Sequence, residues 1–100
     1  MTNFPVFDGH NDLVLRLLRG DVTAQGVAEG LDSGHIDKPR AVKGGFGGGF
    51  FAIFVPSPGN KAVRYEEMVK PEYDIPLPDP VPEDEALDWT TRGFDALDDL

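Results

Sequence analysis

No cysteine occurs among the 100 residues. That excludes a disulfide framework and any thiolate metal site, and it suits a reducing compartment. Positive charge is scarce too: 9 Lys and Arg stand against 18 Asp and Glu, a formal net charge of −9. Such a surface repels phosphate, so neither nucleic acid nor an anionic membrane is an expected partner. Apolar runs are short, and none approaches the ~18 residues of a membrane span. The opening MTNFPVFDGH has no basic segment followed by a long apolar one, so no secretory signal is read there. The expected location is cytoplasmic. What remains, 40% hydrophobic and 27% charged residues, is the composition of a soluble globular protein about the size of one small domain.

FPVFDGHNDLVLRLL, residues 4 to 18, carries the first chemistry. Asp8, His10 and Asp12 interrupt an otherwise apolar segment. If that segment is buried, an unpaired carboxylate in it costs several kcal/mol, order of magnitude, and something must offset the cost. Residues 4 to 10 alternate as a short buried strand does. Leu13, Leu17 and Leu18 then fall at helical spacing, with Gly20 as a stop. Residues 21 to 34 read as loop with one weak turn of helix. In DKPRAVKGG, Asp37 is the expected N-cap, Pro39 lies in the first turn and Gly44 follows Lys43 as a stop.

Phe50 to Val55 is a continuous apolar run, which predicts a strand buried on both faces, as in a parallel sheet. The glycines before it read as a tight entry to that strand. Residues 61 to 70 are expected to be helical, and the proline-rich stretch 71 to 82 irregular. A last helix starts at Pro82, helped by Glu83, Asp84 and Glu85 at its positive end. Trp89, Phe94 and Leu97 are its expected buried face, with Leu87 continuing the apolar stripe. It reaches Leu100 with DALDDL at the end where the dipole disfavours carboxylates, so the chain is expected to be cut there or to belong to a longer one. Two parallel strands with crossover helices do not close a core alone.

Side chains two apart on a strand share a side, so His10 and Asp12 can converge at the strand's carboxyl end. Imidazole plus carboxylate is half a site for Zn²⁺ or a similar ion, whose charge would offset the carboxylate. A plainer reading makes Asp12 the cap of the following helix and His10 a satisfied core histidine. Asp8 either accepts a bond from a ligand histidine or bonds backbone amides near Gly9. His35-Ile36-Asp37 repeats the spacing, but without a preceding strand, and Asp37 has its capping role. Gly47-x-Gly49-x-x-Ala52 fits a loose dinucleotide pattern in the wrong order: the glycines open a strand and not a helix.

FDGHNDLVLRLLRG followed by GHIDKPRAVKGGFGGGFFAIFVPS resembles the N-terminal part of the membrane (renal) dipeptidase family of zinc metallopeptidases, its bacterial members most. The resemblance is close over residues 5 to 57 and loose beyond. It implies an amidohydrolase-like (β/α)₈ TIM barrel, which takes roughly 250 residues. Residues 1–100 would be the N-terminal portion of that single dipeptidase barrel domain, its first two β/α units, truncated at residue 100. It implies that His10 and Asp12 bind one ion of a two-zinc site, and that a hydroxide bridging the ions hydrolyses a small dipeptide. The remaining ligands and the acid/base group would lie downstream, leaving no catalytic acid or base within this chain. Family members are often homodimers. Two alternatives stand beside this reading: another amidohydrolase-type hydrolase, which typically carries H-x-H where this chain has His10 and Asp12, and an inactive or truncated homologue.

Overall fold

The computed structural model describes residues 4–58 and 65–100. The element order is β1 (Val6–Asn11), α1 (Leu13–Leu18), α2 (Ala24–Glu29), α3 (Lys38–Lys43), β2 (Phe46–Phe51), α4 (Tyr65–Met68) and α5 (Glu83–Asp98). Among the described residues, β1 and β2 form a two-stranded parallel sheet. The α/β class and the parallel pairing agree with the sequence reading; the described residues build this unit and its helices, with no closed barrel among them. The helix expected over 61 to 70 is seen as α4, and its first four positions lie outside the described residues.

Apolar spacing and local caps explain the helices. Leu13 and Val14 are buried at the start of α1, and Gly20 leaves the helix in the left-handed region at φ 77°. Thr23 caps α2 by accepting a 3.0 Å bond from the Gly26 amide. Asp37 caps α3 as expected, accepting from the Arg40 amide at 2.8 Å. Leu13, Val22 and Val27 form the core, with Leu17, Leu31, Ile36 and Phe51 packed against them.

Three expectations are corrected. The second strand is Phe46–Phe51, so Gly47 to Gly49 are the strand rather than its entry, and residues 52 to 55 leave it. Close approach is the reason. A Cβ on Gly49 would lie 2.9 Å from the Phe46 ring and 3.2 Å from Asp8 Cβ. Second, neither strand is buried on both faces. Phe7 and Phe50 stack edge to face at 5.1 Å, and Phe50 remains 66% exposed because no described element covers that side. Third, α5 packs against α1, and its Gly93 lies on Ile53. Gly93 is its buried position, and an added Cβ there would meet Ile53 at 2.6 Å. Trp89 and Leu97 are half-buried, whereas Leu87 and Phe94 face outward.

Candidate metal centre

The carboxyl end of β1 is irregular. Asp8 pairs with Gly49 and Asn11 with Phe51, so β1 spends three steps where β2 spends two. An extra residue of this kind breaks strict alternation and re-aims side chains. Just beyond it the backbone turns at Asp12 into α1.

His10 and Asp12 meet there. His10 Nε2 lies 3.3 Å from Asp12 Oδ1, with 66% of the imidazole side chain and 54% of the carboxylate side chain exposed. The cost of a buried carboxylate, raised by the sequence, therefore does not arise at this pair; strand end and helix start open it to solvent. Nor does Asp12 cap α1, since its side chain makes no cap hydrogen bond. The Leu13 amide donates instead to Asn11 Oδ1 at 3.2 Å.

Asn11 is 8% exposed and ties the corner together. Its Nδ2 donates to Asp8 Oδ2 at 2.9 Å and to the Phe50 carbonyl at 3.5 Å. Asp8 Oδ1 accepts from the His10 amide at 3.4 Å. Asp8 thus bonds both the Asn11 side chain and a backbone amide next to Gly9. Asn11 was not singled out by the sequence, although an Asn two residues before a helical run is a recognisable turn and capping signal.

These residues line an open depression of about 460 Å³, whose other walls include Arg16, His35 and Phe46. Arg16 crosses to the loop before α3, donating to Ser33 Oγ at 3.0 Å. His35 thus shares a cavity with the first pair although no strand precedes it. Its neighbour Asp37 is turned elsewhere: 2% exposed, it accepts from the Leu31 amide at 3.0 Å and from Arg40. The Leu31 bond first, then the Arg40 amide and guanidinium, hold its carboxyl below the ordinary value of 3.8.

The donor set at β1 fits a divalent ion. Two ligands of one tetrahedral zinc, each about 2.0–2.1 Å from it, lie about 3.3 Å apart, and His10 and Asp12 are spaced so. Among the described residues no group of three or more His, Cys, Asp or Glu converges, so His10 and Asp12 alone would not complete a four-ligand site.

The sequence matches the membrane dipeptidase family (peptidase family M19) over residues 1–98. The match therefore runs past residue 57, through the proline-rich stretch and α5. A protein of Acinetobacter calcoaceticus, described as an uncharacterized protein in the PQQ-III 3′ region, is 46% identical over 57 residues, 54% of this chain and 18% of its own length. The fold superposes on the crystal structure of dipeptidase AC, a family M19 metallopeptidase, at 40% identity and TM-score 0.77, covering 96% of this chain and 27% of that one. A metallopeptidase from Rhodobacter sphaeroides, solved with a phosphinate mimic of the dipeptide L-Ala-D-Ala, gives 39% identity and TM-score 0.78, covering 96% and 28%. The chain thus spans about a quarter of the length of these solved relatives, and with nearly every residue matched it belongs to the membrane dipeptidase family, peptidase family M19.

Proposed function

We propose that this chain supplies the first strand-end ligands, His10 and Asp12, of a zinc-dependent dipeptidase whose complete domain is a (β/α)₈ barrel. One observation carries the reading: a His–Asp pair 3.3 Å apart at the carboxyl end of β1, where ligands of α/β barrels gather, in a chain of a metallopeptidase family. The dipeptide mimic held by the Rhodobacter relative supports a dipeptide substrate, with a D-configured second residue accepted.

Zinc, when bound, supplies the positive charge that activates water and polarises the scissile carbonyl. The chain's own residues do the rest of the local work. His10 offers a neutral ring nitrogen and Asp12 a carboxylate oxygen, a donor pair that suits zinc and also other divalent ions. Asp8 and Asn11 hold the turn that carries both. Arg16 and the loop it ties down close one side of the depression in which substrate would sit. Net hydrolysis adds water across the C–N bond, leaving a carboxylate and a free amine; no acid or base for the proton transfers is assigned among these residues.

The test is zinc content and dipeptide hydrolysis on the complete natural polypeptide that carries this chain, beside a His10→Ala, Asp12→Ala double variant. Loss of zinc and of hydrolysis together in the variant is the expected result. Equal zinc content in both proteins would remove His10 and Asp12 from the site.

A further inference from the structure

We propose that Asn11 is a positioning residue for the His10–Asp12 pair, keeping the Asp12 carboxylate out of the start of α1 so that it stays turned toward His10. The inference rests on the reading that this pair binds metal.

Asp12 occupies the N-cap position of α1. An aspartate there ordinarily bends its carboxylate onto the amides of the first helical turn, which favour negative charge. In that state its oxygen would be committed to the helix and lost to any ligand beside His10. Asn11 intervenes: its Oδ1 accepts from the Leu13 amide at 3.2 Å, two residues along, in an Asx-type turn. The turn sets how the backbone passes through Asp12, and Asp12 makes no cap bond.

The amide end of Asn11 fixes that geometry. Its Nδ2 is held by Asp8 Oδ2 and the Phe50 carbonyl, joining the turn to both strands. Burial makes these bonds matter, because a buried amide left unpaired is costly. The side chain between the two candidate ligands is therefore the one that faces inward, while they face out.

The chemistry at position 11 separates positioning from simple support. In Asn11→Ala the bond that holds the Leu13 amide is gone, and the backbone at Asp12, now at φ −112° and ψ 30°, is free to open to the extended geometry in which an N-cap carboxylate reaches the second or third helical amide. The helix keeps a cap, but the ligand pair is broken. In Asn11→Ser a side-chain oxygen still reaches toward the Leu13 amide. Groups that orient metal ligands typically change metal affinity by about 10–100-fold when removed.

The experiment uses the complete natural polypeptide, stripped of metal. Zn²⁺ affinity is measured by competition titration, and the Co²⁺-loaded protein by visible absorption, for the parent, Asn11→Ala, Asn11→Ser and His10→Ala. Asn11→Ala is expected to weaken Zn²⁺ about 10–100-fold and alter the Co²⁺ spectrum, with far-UV helicity retained; Asn11→Ser is expected to recover most of the affinity. Parent-like affinity in Asn11→Ala would overturn the proposal, as would equal weakening in Ala and Ser. If Asn11→Ala fails to fold, the serine variant decides alone: parent-like affinity and spectrum support positioning, and a tenfold loss with native helicity overturns it. Unchanged affinity in His10→Ala would show instead that the underlying metal reading had failed, and the proposal with it.

Discussion

The chain holds His-x-Asp twice, and the two copies have opposite fates. At His10-Asn11-Asp12 the imidazole and carboxylate face each other in the open, and the middle residue is buried and polar. At His35-Ile36-Asp37 the carboxylate is buried under Leu31 and Arg40 amides, and the middle residue packs on the hydrophobic core. Spacing is identical, so spacing decides nothing. What differs is which residue takes the amides at the head of the following helix. At α1 Asn11 accepts from the Leu13 amide and Asp12 makes no cap bond; at α3 Asp37 itself accepts from the Arg40 amide.

The largest expected effect breaks this comparison outright. His10→Ala with Asp12→Ala is expected to abolish stoichiometric zinc binding, whereas His35→Ala is expected to leave zinc content at the parental level. Metal analysis of the dialysed proteins checks both. Zinc lost from His35→Ala instead would mean that both copies reach the ion across their shared cavity.

Next comes overpacking of the α5 contact, far from both copies. Gly93→Val places a branched side chain where even a Cβ would stand 2.6 Å from Ile53. Overfilling of this kind costs about 1–3 kcal/mol. A lower thermal midpoint with zinc stoichiometry retained is the expected outcome, and an unchanged midpoint would show that α5 shifts freely against Ile53.

Acid sharpens the second copy. The folded-state pKa of Asp37 lies below its ordinary 3.8, because the Leu31 amide, then Arg40, favours the ionised form. A depressed folded value means that the ionised carboxylate stabilises the fold fully above pH 3.8 and that this contribution disappears as pH falls through the folded pKa. Asp37→Asn is therefore expected to be less stable than the parent near neutrality, with the difference narrowing in acid. Denaturant midpoints of both proteins at stepped pH measure it, and a constant difference across the acid range would count against the carboxylate as cause.

Much of this was legible in the residues, for physical reasons. Asp37, Pro39 and Gly44 each favour one place in a short helix, so α3 could be read directly. Strand alternation predicts that His10 and Asp12 converge, and they do, although Asp12 lies just outside β1 and past an irregularity that breaks alternation. Burial was less legible, because alternation shows which residues share a face but not whether another layer covers it; Phe7 and Phe50 are exposed for want of one. Glycines are poor strand formers and so hide β2 in the sequence, while in the fold their bareness lets β2 lie against Asp8 and Phe7. In α5 the apolar stripe of Leu87 and Phe94 suggests the docking face, whereas the buried position is Gly93, whose missing side chain lets the helix lie on Ile53. Asn11 escaped notice because its role depends on burial and on Asp8 and Phe50, which only the folded corner brings to it.

The smallest expected effect tests whether capping by the residue's own side chain is general outside the first copy. Thr23 does for α2 what Asp37 does for α3, accepting from the amide three residues on, but it is exposed and uncharged. It has one such bond where Asp37 has two, and no guanidinium beside it. Thr23→Ala should cost about 1 kcal/mol, a typical value for a lost N-cap. That is about a fivefold rise in amide hydrogen exchange at Gly26 and Val27, if α2 opens locally. The same experiment should leave the amides of α1 unmoved, since Asn11 and not Thr23 holds their first turn. Exchange that rose equally in both helices would mean that α1 and α2 open as one unit through their shared Leu13, Val22 and Val27 core, and that no local cap governs either.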